Sequence, residues 1–552
     1  MDIRAVRYVG RLKNIAVTLF RYGFDDVVER LDLPGKVFLE KIHRVDRDLS
    51  SWERIRLALE ELGPTFIKIG QIMSLRPDLI PNALILELRK LQDEVAPVGY
   101  DEIRAVVEKN LRQPLEKVFA EFDETPIAAA SLAQVHRGVL RENGQVVAVK
   151  VQRPKIQHII AEDLSLLDVV ANQLNERMEA SRVYDLPNLV KEIKKSLDRE
   201  LDFRREARYM KIAKSNLAST EGVYVPEVLE DFTTSQMLTM ELVEGRKLKD
   251  LDSPHQYDCQ LLAKRGLRLT VKQVLEDGFF HADPHPGNII LLDNNIYCLL
   301  DWGMVGRLTR KSRYEIIDLI NAVVACDSER IVRVLLKKIR VRGGAEINTD
   351  MLEREILEIL DTYHSLPLEK LNVGRLLLDI TSVLRDNRLQ IPVDLAVMIK
   401  ALLTAEGTAR QLYPELNVVE EARPYVRRLA MERWRPETIW KNVWTGLLDL
   451  AILQKHLPQR VSQIIDKIDR GDLNIRFQHE NLARLRSTLE NISNRLTLAI
   501  IIAALIIGSS MIITTGVKPL FLGFPILGIV GYLVSGLLGL WLIFNIIRSR
   551  KF

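Results

Sequence analysis

The alternation of apolar and polar residues predicts a chain that is mainly helical, with short strands confined to its middle. Apolar residues recur every three to four positions over 52–62 and 84–91, a spacing typical of amphipathic helices. From 126 to 150 the pattern changes to short strands, of which 145–150 is the clearest. Helical spacing then returns and, after two more strand-like stretches, dominates from residue 301 to the end.

Two uncharged apolar segments close the chain. Residues 496–515 carry no charge over twenty positions, which is enough helix to cross a hydrocarbon layer of about 30 Å. After a turn near Lys518, a second uncharged run extends from Pro525 to 547. We therefore expect a transmembrane helical hairpin in which small residues allow the helices to pack closely. These small residues are Gly531, Ser535 and Gly539 in the second helix, and Ala504 and Gly508 in the first.

Basic residues flank both ends of the predicted hairpin. They are Arg484, Arg486 and Arg495 before it, and Arg548, Arg550 and Lys551 after it. Because basic flanks usually stay in the cytoplasm, we expect the body of the protein on that side of the membrane. Arg4, Arg7 and Arg11 would share one face of an opening helix, where they either contact anionic lipid or, more simply, are solvated.

The composition describes a folded chain that is too long for one core. Its 552 residues predict two or three domains, and 47% hydrophobic with 28% charged residues exclude a disordered chain. The four bases of the C-terminal segment account for the whole net charge of +4, and the balanced body argues against a nucleic-acid partner. The three cysteines (Cys259, Cys298 and Cys326) contain no CxxC pair, which excludes a disulfide scaffold and a zinc signature.

A group of polar residues near position 290 contains the parts of a phosphoryl-transfer site. In His281-Ala-Asp283-Pro-His285-Pro-Gly-Asn288 an aspartate precedes an asparagine by five residues, and thirteen residues later an apolar strand ends at Asp301. Phosphoryl transfer uses an aspartate to orient the acceptor, and an amide oxygen and a carboxylate to hold Mg²⁺. We therefore predict that Asp283 is catalytic and that Asn288 and Asp301 bind Mg²⁺.

Upstream lies a candidate nucleotide-binding turn and strand. Val147-Ala-Val-Lys150 is typical of the strand whose lysine contacts the α- and β-phosphates of ATP. The preceding turn has alanines at the three spacings where kinases carry glycines, and each added methyl group restricts the backbone and holds its N–H groups further from phosphate. We predict a nucleotide grip that differs from that of a protein kinase. The residues concerned are Ala128, Ala129, Ala130, Ser131, Leu132, Ala133, Gln134, Val135 and His136.

Two further segments suit the same site. Glu206 follows Asp202 by four residues, so the two share a helix face, and Glu206 could pair with Lys150 over the phosphates. Met240-Glu241-Leu-Val243 follows a strand, as expected of the linker between two kinase lobes. The backbone groups of Glu241 and Val243 would contact adenine there.

Additional motifs give the chain a family resemblance. Phe66-Ile-Lys68-Ile-Gly70-Gln71 matches a KxGQ motif and Glu200-Leu-Asp202 an ExD motif, and both accompany the alanine-rich turn and the aspartate–asparagine pair. Together with Arg410-Gln-Leu-Tyr-Pro414, these motifs resemble those of the UbiB/ADCK family of atypical, protein-kinase-like proteins. The similarity extends from about Leu57 through the C-terminal hairpin.

The resemblance implies an α+β, protein-kinase-like two-lobed fold with an N-terminal helical KxGQ extension, a largely α-helical C-terminal lobe and a C-terminal two-helix transmembrane hairpin. The implied domains are the extension (1–120), an N-lobe with a helical insertion (121–245), the C-lobe (246–430), a helical linker (431–495) and the hairpin (496–552). It also implies that Lys68, Gly70 and Gln71 form a lid over the nucleotide cleft. Glu200 and Asp202 would belong to the same lid and regulatory group. Lys68 would pair with Glu200, and Lys150 with Glu206.

The family is associated with the biosynthesis of isoprenoid quinones, chiefly ubiquinone, on a membrane. The resemblance therefore implies ATP or ADP and Mg²⁺ as cofactors, and ATP hydrolysis or the phosphorylation of a small or lipid substrate. It implies a membrane lipid or a quinone precursor as partner, with quinone-biosynthesis enzymes as further candidates. The expected location is the cytoplasmic (inner) membrane of a bacterium.

Two departures from protein kinases leave alternatives open. Trp302 stands where the Phe of Asp-Phe-Gly is usual, and we expect this bulky aromatic to pack there and leave Asp301 its metal. His285 stands where many protein kinases have a lysine two residues after the catalytic aspartate, as in the kinases of aminoglycosides and choline. A small-molecule phosphotransferase is therefore one alternative. A nucleotide-gated scaffold that remodels lipid access for quinone enzymes is another.

Overall fold

The computed structural model divides the chain into two compact units, Met1–Asn442 and Val443–Phe552. The structure describes residues 3–25, 49–91, 95–177, 185–251, 257–337, 339–341, 347–364, 372–433, 440, 444, 482–515, 518–521 and 524–549. Most of the linker predicted at 431–495 therefore lies outside the described residues, as do Arg550 and Lys551 and, for their side chains, Arg4 and Arg7.

Helices make up most of both units. In chain order they are α1 (Ile3–Arg21), α2 (Ser51–Leu62), α3 (Pro64–Met73), α4 (Asn82–Leu88), α5 (Tyr100–Leu111), α6 (Leu115–Val118), α7 (Ile156–Arg177), α8 (Leu186–Glu200), α9 (Phe203–Leu217), α10 (Cys259–Lys272), α11 (Arg310–Val324), α12 (Ser328–Leu336), α13 (Thr349–His364), α14 (Val373–Asp386), α15 (Val393–Leu412), α16 (Val418–Arg433), α17 (Leu482–Thr515) and α18 (Ile526–Ser549). This confirms the mainly helical character that the apolar spacing predicts.

The strands are short. They are β1 (Phe119–Phe122), β2 (Ala128–Ala129), β3 (Ala133–Leu140), β4 (Val146–Gln152), β5 (Val223–Tyr224), β6 (Met237–Glu241), β7 (Arg246–Lys247), β8 (Phe279–His281), β9 (Ile289–Leu292), β10 (Ile296–Leu299), β11 (Val305–Arg307), β12 (Arg340–Val341), β13 (Leu389–Gln390), β14 (Leu520–Phe521) and β15 (Phe524–Pro525).

A five-stranded antiparallel sheet forms the first lobe, in the order β1-β3-β4-β6 with β2 paired to β3. Alternate residues of β4 point to opposite faces of this sheet. Val147, Val149 and Val151 are fully buried in one hydrophobic cluster with Ile103 of α5. Because Lys150 lies between these valines in sequence, its side chain projects from the other face, toward the second lobe.

The second lobe is mainly helical and carries a small four-stranded sheet in the order β5-β10-β9-β7, together with the strand pairs β8–β11 and β12–β13. Strands β9 and β10 form an antiparallel hairpin in which Ile289 faces Leu299, and the N–H of Leu300 donates to the carbonyl of Asn288 at 2.9 Å. This register places Asn288 beside the end of the strand that leads to Asp301. Behind the hairpin, α10, α11, α15 and α16 share a buried hydrophobic cluster. The chain therefore has the α+β, two-lobed kinase-like fold that was predicted.

The N-terminal extension consists of α1 to α4 and the segment that follows them. A capping box of Ser50 and Glu53 starts α2. Gly63, whose φ of +97° suits glycine, separates α2 from α3. A methyl group at Gly70 would lie 2.3 Å from Leu91 Cδ1 and 3.0 Å from Leu59 Cδ1, so this glycine allows α3 to pack closely against its neighbours.

The second unit contains two long apolar helices, α17 and α18. Among the described residues, 496–515 forms one helix that is long and apolar enough to cross a membrane, and 526–542 is a shorter apolar helix. Gly531 packs directly on Ser509, because a Cβ there would meet Ser509 Oγ at 1.9 Å, and Ser535 is buried. Among the residues that the structure describes, nothing lies within 4 Å of a Cβ placed on Gly539 or Gly508. Close packing is therefore centred on Gly531 and Ser509, and the expectation for Gly539 and Gly508 is wrong.

Candidate phosphoryl-transfer site

Lys150 stands at the centre of an ion cluster between the two lobes. Its Nζ lies 2.8 Å and 3.0 Å from the two carboxylate oxygens of Glu206, and 3.3 Å from Oδ1 of Asp301. Glu206 comes from the first turn of α9 and is only 4% exposed. The ring of Phe203 lies 5.3 Å below the ammonium group. Strand β4, helix α9 and the turn at Asp301 thus meet at the ammonium group of Lys150. The contact between Lys150 and Glu206 is the one predicted from the sequence.

The electrostatics of this cluster follow from two carboxylates sharing one ammonium. Burial opposes the charge on Lys150, but Asp301 and Glu206 outweigh it and raise the pKa of the lysine. Burial and, more weakly, repulsion by Asp301 raise the pKa of Glu206 to about 7, against the attraction of Lys150. Desolvation opposes ionisation of Asp301, but Lys150 and Lys68 hold the pKa of its carboxyl well below the usual range. Lys150 therefore stays protonated between the two carboxylates.

The donor set at Asp301 and Asn288 suits Mg²⁺. The Asp301 side chain is 49% exposed, and its Oδ1 also accepts a hydrogen bond from the N–H of Gly303 at 3.1 Å. Asn288 adds an amide oxygen at the adjacent end of the β9–β10 hairpin. The described residues contain no group of three or more His, Cys, Asp or Glu side chains arranged to hold a metal. The two side-chain oxygens of Asp301 and Asn288 suit an ion that takes few protein ligands and completes its shell with phosphate and water.

His281 fixes the loop that carries Asp283, a role that the sequence reasoning did not assign to it. Its Nδ1 accepts a hydrogen bond from the N–H of Asp283 at 3.1 Å, and its Nε2 lies 3.1 Å from the carbonyl of Leu300. Trp302 is fully buried and packs edge-on against His281 at 5.0 Å. Trp302 therefore packs in the core, as expected of a bulky aromatic at this position. The histidine joins the catalytic loop to the strand that ends at Asp301.

Asp283 forms an ion pair that the sequence did not predict. Its Oδ2 lies 3.1 Å from Nζ of Lys400, a residue of α15 that is 9% exposed. Burial opposes ionisation of Asp283, but Lys400, His281 and His285 outweigh it and lower the pKa of the carboxyl. No local pattern marks Lys400 as part of the site, because it follows Asp283 by more than one hundred residues and lies in a helix that carries other charged residues.

The extension is joined to the N-lobe insertion by ion pairs. Lys68 of α3 lies 2.7 Å from Glu200 at the end of α8, and both side chains are largely buried. Arg76 contacts Asp78 through two hydrogen bonds of 2.9 Å and 3.0 Å, and Glu192 of α8 through a third of 2.8 Å. The pair implied for Lys68 and Glu200 is thus present in the structure.

Three other predicted lid residues have structural contacts. Gln71 donates to the carbonyl of Leu91 at 3.3 Å, within the extension. Asp202 caps α9, since its side chain accepts from the N–H of Arg204 at 3.3 Å. Gly70 allows the close packing described above. These contacts shape the extension and the helix that carries Glu206.

The alanine-rich turn is held in place from outside the cleft. Arg153 donates to the carbonyl of Ala130 at 2.8 Å and to that of Ala96 at 2.9 Å. Ser131 and Leu132 at the tip are buried, and Leu132 packs in a cluster that includes residues of α3, α7 and α8. The tip is therefore part of a hydrophobic core, unlike a free loop.

Strand β3 divides the predicted nucleotide residues between two faces of the sheet. Val135 faces Lys150 in the ladder and therefore lies on the cleft side. Gln134 and His136 point the other way, where the N–H of Val98 donates to Gln134 and the His136 ring stacks on Phe122 at 5.3 Å. Gln134 and His136 can reach a nucleotide through their backbone groups only.

The predicted hinge follows β6. Met240 is buried in the cluster that contains Ala148 and Trp302. The side chain of Glu241 accepts a hydrogen bond from the hydroxyl of Tyr224 at 2.6 Å, and its N–H donates to the carbonyl of Glu227 at 2.8 Å. The N–H of Glu241 is therefore engaged within the protein, so this group of the predicted hinge is not open to a nucleotide.

Three family models match separate parts of the chain. The ABC1 atypical kinase-like domain matches residues 90–335, the UbiB helical domain residues 356–417, and the ABC1/UbiB kinase-like C-terminal domain residues 480–548. The second of these contains Lys400. The three matches follow the order of the lobes, the helical part of the second lobe and the apolar C-terminal helices.

Curated relatives are similar over most of their length. The chain is 33% identical to an uncharacterized protein in the hydrogenase 1 5'region of Clostridium pasteurianum, over 98% of this chain and 99% of that protein. It is 34% identical to the probable protein kinase UbiB of Aeromonas salmonicida, over 78% of this chain and 81% of the relative. It is 33% identical to the probable protein kinase UbiB of Pseudomonas fluorescens strain SBW25, over 84% of this chain and 89% of the relative.

One solved structure is also similar, the complex of Rv3197 with erythromycin from Mycobacterium tuberculosis, at a TM-score of 0.46 and 21% identity, covering 66% of this chain and 93% of that one. The family assignment rests on the matched family models and on the curated relatives. The chain belongs to the ABC1/UbiB family of atypical kinase-like proteins.

Proposed function

We propose that this protein is a membrane-anchored ATP-dependent phosphotransferase or ATPase that supports the biosynthesis of isoprenoid quinones. The observation that carries the proposal is the meeting of Lys150, Glu206 and Asp301, with Asn288 beside Asp301 and Asp283 on the neighbouring loop. Those side chains come from four separate segments of the chain, and it is the folding of the chain that brings them together. Membership of a kinase-like family supports the same conclusion.

Each group then has a defined task. Lys150, held charged by two carboxylates, would neutralise the α- and β-phosphates of ATP. Asp301 and Asn288 would hold Mg²⁺, which when bound supplies charge neutralisation to the phosphates. Asp283 would orient the acceptor hydroxyl or water. Glu206 keeps the ammonium of Lys150 in place, since both of its oxygens contact Nζ.

The connection after Asp301 favours a small or lipid acceptor over a protein. Only eight residues separate Asp301 from the start of α11 at Arg310, and three of them form β11, which pairs with β8. Protein kinases carry a longer activation segment here, on which peptides dock. The short connection also supports the second candidate, a phosphotransferase for a soluble small molecule. A quinone precursor or a membrane lipid remains the proposed acceptor because of the family and the apolar C-terminal helices.

Calorimetric titration and a turnover assay test the proposal. Full-length protein in nanodiscs should bind ATP or ADP with Mg²⁺, and Asp301→Asn should weaken the Mg²⁺-dependent part of that binding. Asp283→Asn should keep nucleotide binding and lose hydrolysis by about 100-fold or more. Absence of binding heat for both nucleotides, or unchanged hydrolysis by Asp283→Asn, contradicts the proposal.

Complementation separates an enzyme from a scaffold. Quinone and lipid profiling of a deletion strain should show a deficit that the wild-type gene corrects and Asp283→Asn does not. A Lys150→Ala/Asp283→Asn double variant that restores the quinone content would favour the nucleotide-gated scaffold. Phosphorylation of a soluble acceptor, found by screening, would favour the small-molecule phosphotransferase.

A further inference from the structure

Many protein kinases carry a lysine two residues after the catalytic aspartate. The loop that carries Asp283 has no such lysine. Position 285 holds a histidine, and its Nδ1 accepts a hydrogen bond from the N–H of Gly287 at 3.0 Å. The ring thereby caps the single turn Pro286–Asn288, and the residue is exposed. His285 thus has a local structural task and lies on the outside of the loop.

A cation reaches Asp283 from another part of the chain. Lys400 of α15 places its Nζ 3.1 Å from Oδ2 of Asp283, with 11% of the lysine side chain and 33% of the aspartate side chain exposed. The neighbours of Lys400 in sequence, Ile399 and Ala401, are buried in the core of the second lobe. A lysine is seldom buried in such surroundings unless it is paired, so the ion pair accounts for its presence.

The same lysine lies where three parts of the protein meet. It lines a small pocket together with Ser74 and Pro77 of the extension and Leu378 of α14. Arg89, just after α4, interacts electrostatically with Asp283 as well. The Asp283 loop, the helical part of the second lobe and the extension therefore meet around the carboxylate of Asp283.

We infer that Lys400 is a positioning residue for Asp283 and takes the place of the lysine missing at position 285. This inference rests on the proposed function. Lys400 holds Oδ2 and thereby fixes the side-chain rotamer, so that Oδ1 is the oxygen that orients the acceptor hydroxyl or water. Since Lys400 acts through Asp283, it contributes to turnover and contributes little to nucleotide affinity.

Steady-state kinetics of full-length protein in nanodiscs test this role. Lys400→Met should lower kcat for ATP hydrolysis by about 10- to 100-fold, the effect of a misplaced catalytic group, and leave KM within about threefold. Lys400→Arg, which keeps the charge, should recover kcat to within about fivefold of the wild type. In an Asp283→Asn background, Lys400→Met should lower single-turnover hydrolysis no further, because the group on which it acts is already gone.

Lys272→Met provides the matched control. Lys272 is a largely buried lysine of the same lobe. Its Nζ lies 2.9 Å from Oδ1 of Asp277, and this pair is not part of the site. Its replacement should lower thermal stability with kcat unchanged. Calorimetric titration with ATP and Mg²⁺ shows that each variant is folded, because the nucleotide site lies on other residues.

Three results would overturn the inference. They are an unchanged kcat in Lys400→Met, a tenfold rise in KM at constant kcat, and a loss of hydrolysis in Lys400→Met that adds in full to that of Asp283→Asn. The second would mean that Lys400 contacts phosphate directly. A wild-type protein that neither hydrolyses ATP nor gives binding heat with ATP or ADP refutes the proposed function itself, a result that the variants cannot produce, so the two failures are distinguishable.

Discussion

Replacing Glu200 by glutamine should loosen the extension from the body of the first unit. The change keeps the size of the side chain and removes the charge that faces Lys68 at 2.7 Å. Loss of one partner of a fully buried ion pair costs about 3–5 kcal/mol, whereas an exposed pair contributes about 0–1 kcal/mol. Here the two side chains are 11% and 15% exposed, and Asp301 offers Lys68 a second, more distant anion. We therefore expect a cost of about 2 kcal/mol, between the two limits.

Hydrogen–deuterium exchange of the α3 amides measures this cost. A loss of about 2 kcal/mol corresponds to about 30-fold faster exchange when opening is rapid and reversible. The peptide covering residues 64–73 should show it in Glu200→Gln, while the five-stranded sheet keeps its protection. Faster opening of a lid over the cleft should also raise the association rate of ATP.

Glu61→Gln is the control for this experiment. Glu61 pairs with Arg21 inside the same extension, but the two side chains are 32% and 39% exposed. Its replacement should speed exchange in α3 by less than about fivefold, as expected of an exposed pair. If Glu200→Gln leaves the exchange of α3 within twofold of the wild type, or matches Glu61→Gln, the pair does not hold the extension in place.

Three further predictions concern other parts of the chain. Burial raises the pKa of the Cys298 thiol to about 12, so at pH 8 a maleimide should label Cys298 only after unfolding, and mass spectrometry of the labelled peptides will check this. Gly70→Ala should lower the unfolding free energy by about 1–3 kcal/mol, because its methyl group would press on Leu91 and Leu59; a stability equal to that of the wild type in urea titrations would contradict the packing argument. Gly531→Val should separate α17 from α18, since its Cβ would overlap Ser509, whereas Gly539→Val should not; cysteine cross-linking between the helices compares the two.

Local patterns were sufficient to predict the elements and residues whose chemistry depends on near neighbours in sequence. The valine-rich run over 145–150 predicted strand β4, and the position of Lys150 within it determined which sheet face the amine occupies. The spacing of Asp283, Asn288 and Asp301 was likewise enough to predict that they lie together. A short hairpin joins Asn288 to the strand before Asp301.

Contacts between distant segments could not be predicted in the same way. Lys400 looks like an ordinary charged residue of a helix until the packing of α15 places it at Asp283. Arg11 was considered a solvated or lipid-facing residue, yet it forms two hydrogen bonds, of 2.7 Å and 3.0 Å, with the buried Asp163. In the C-terminal helices the small residues were recognised, but the crossing point that favours Gly531 over Gly539 depends on helix geometry. The pairs Lys68–Glu200 and Lys150–Glu206 were specified in advance only through the family resemblance.

The buried tip of the alanine-rich turn affects how long a nucleotide stays bound. In kinases with a glycine-rich loop, bending of that loop alone gives ADP a way out. Here Leu132 is 5% exposed and packs with the helices on either side, so lifting the turn requires the extension and the insertion to separate together. Under the proposed function, release of ADP would therefore depend on that separation as well as on breaking the contacts with the nucleotide.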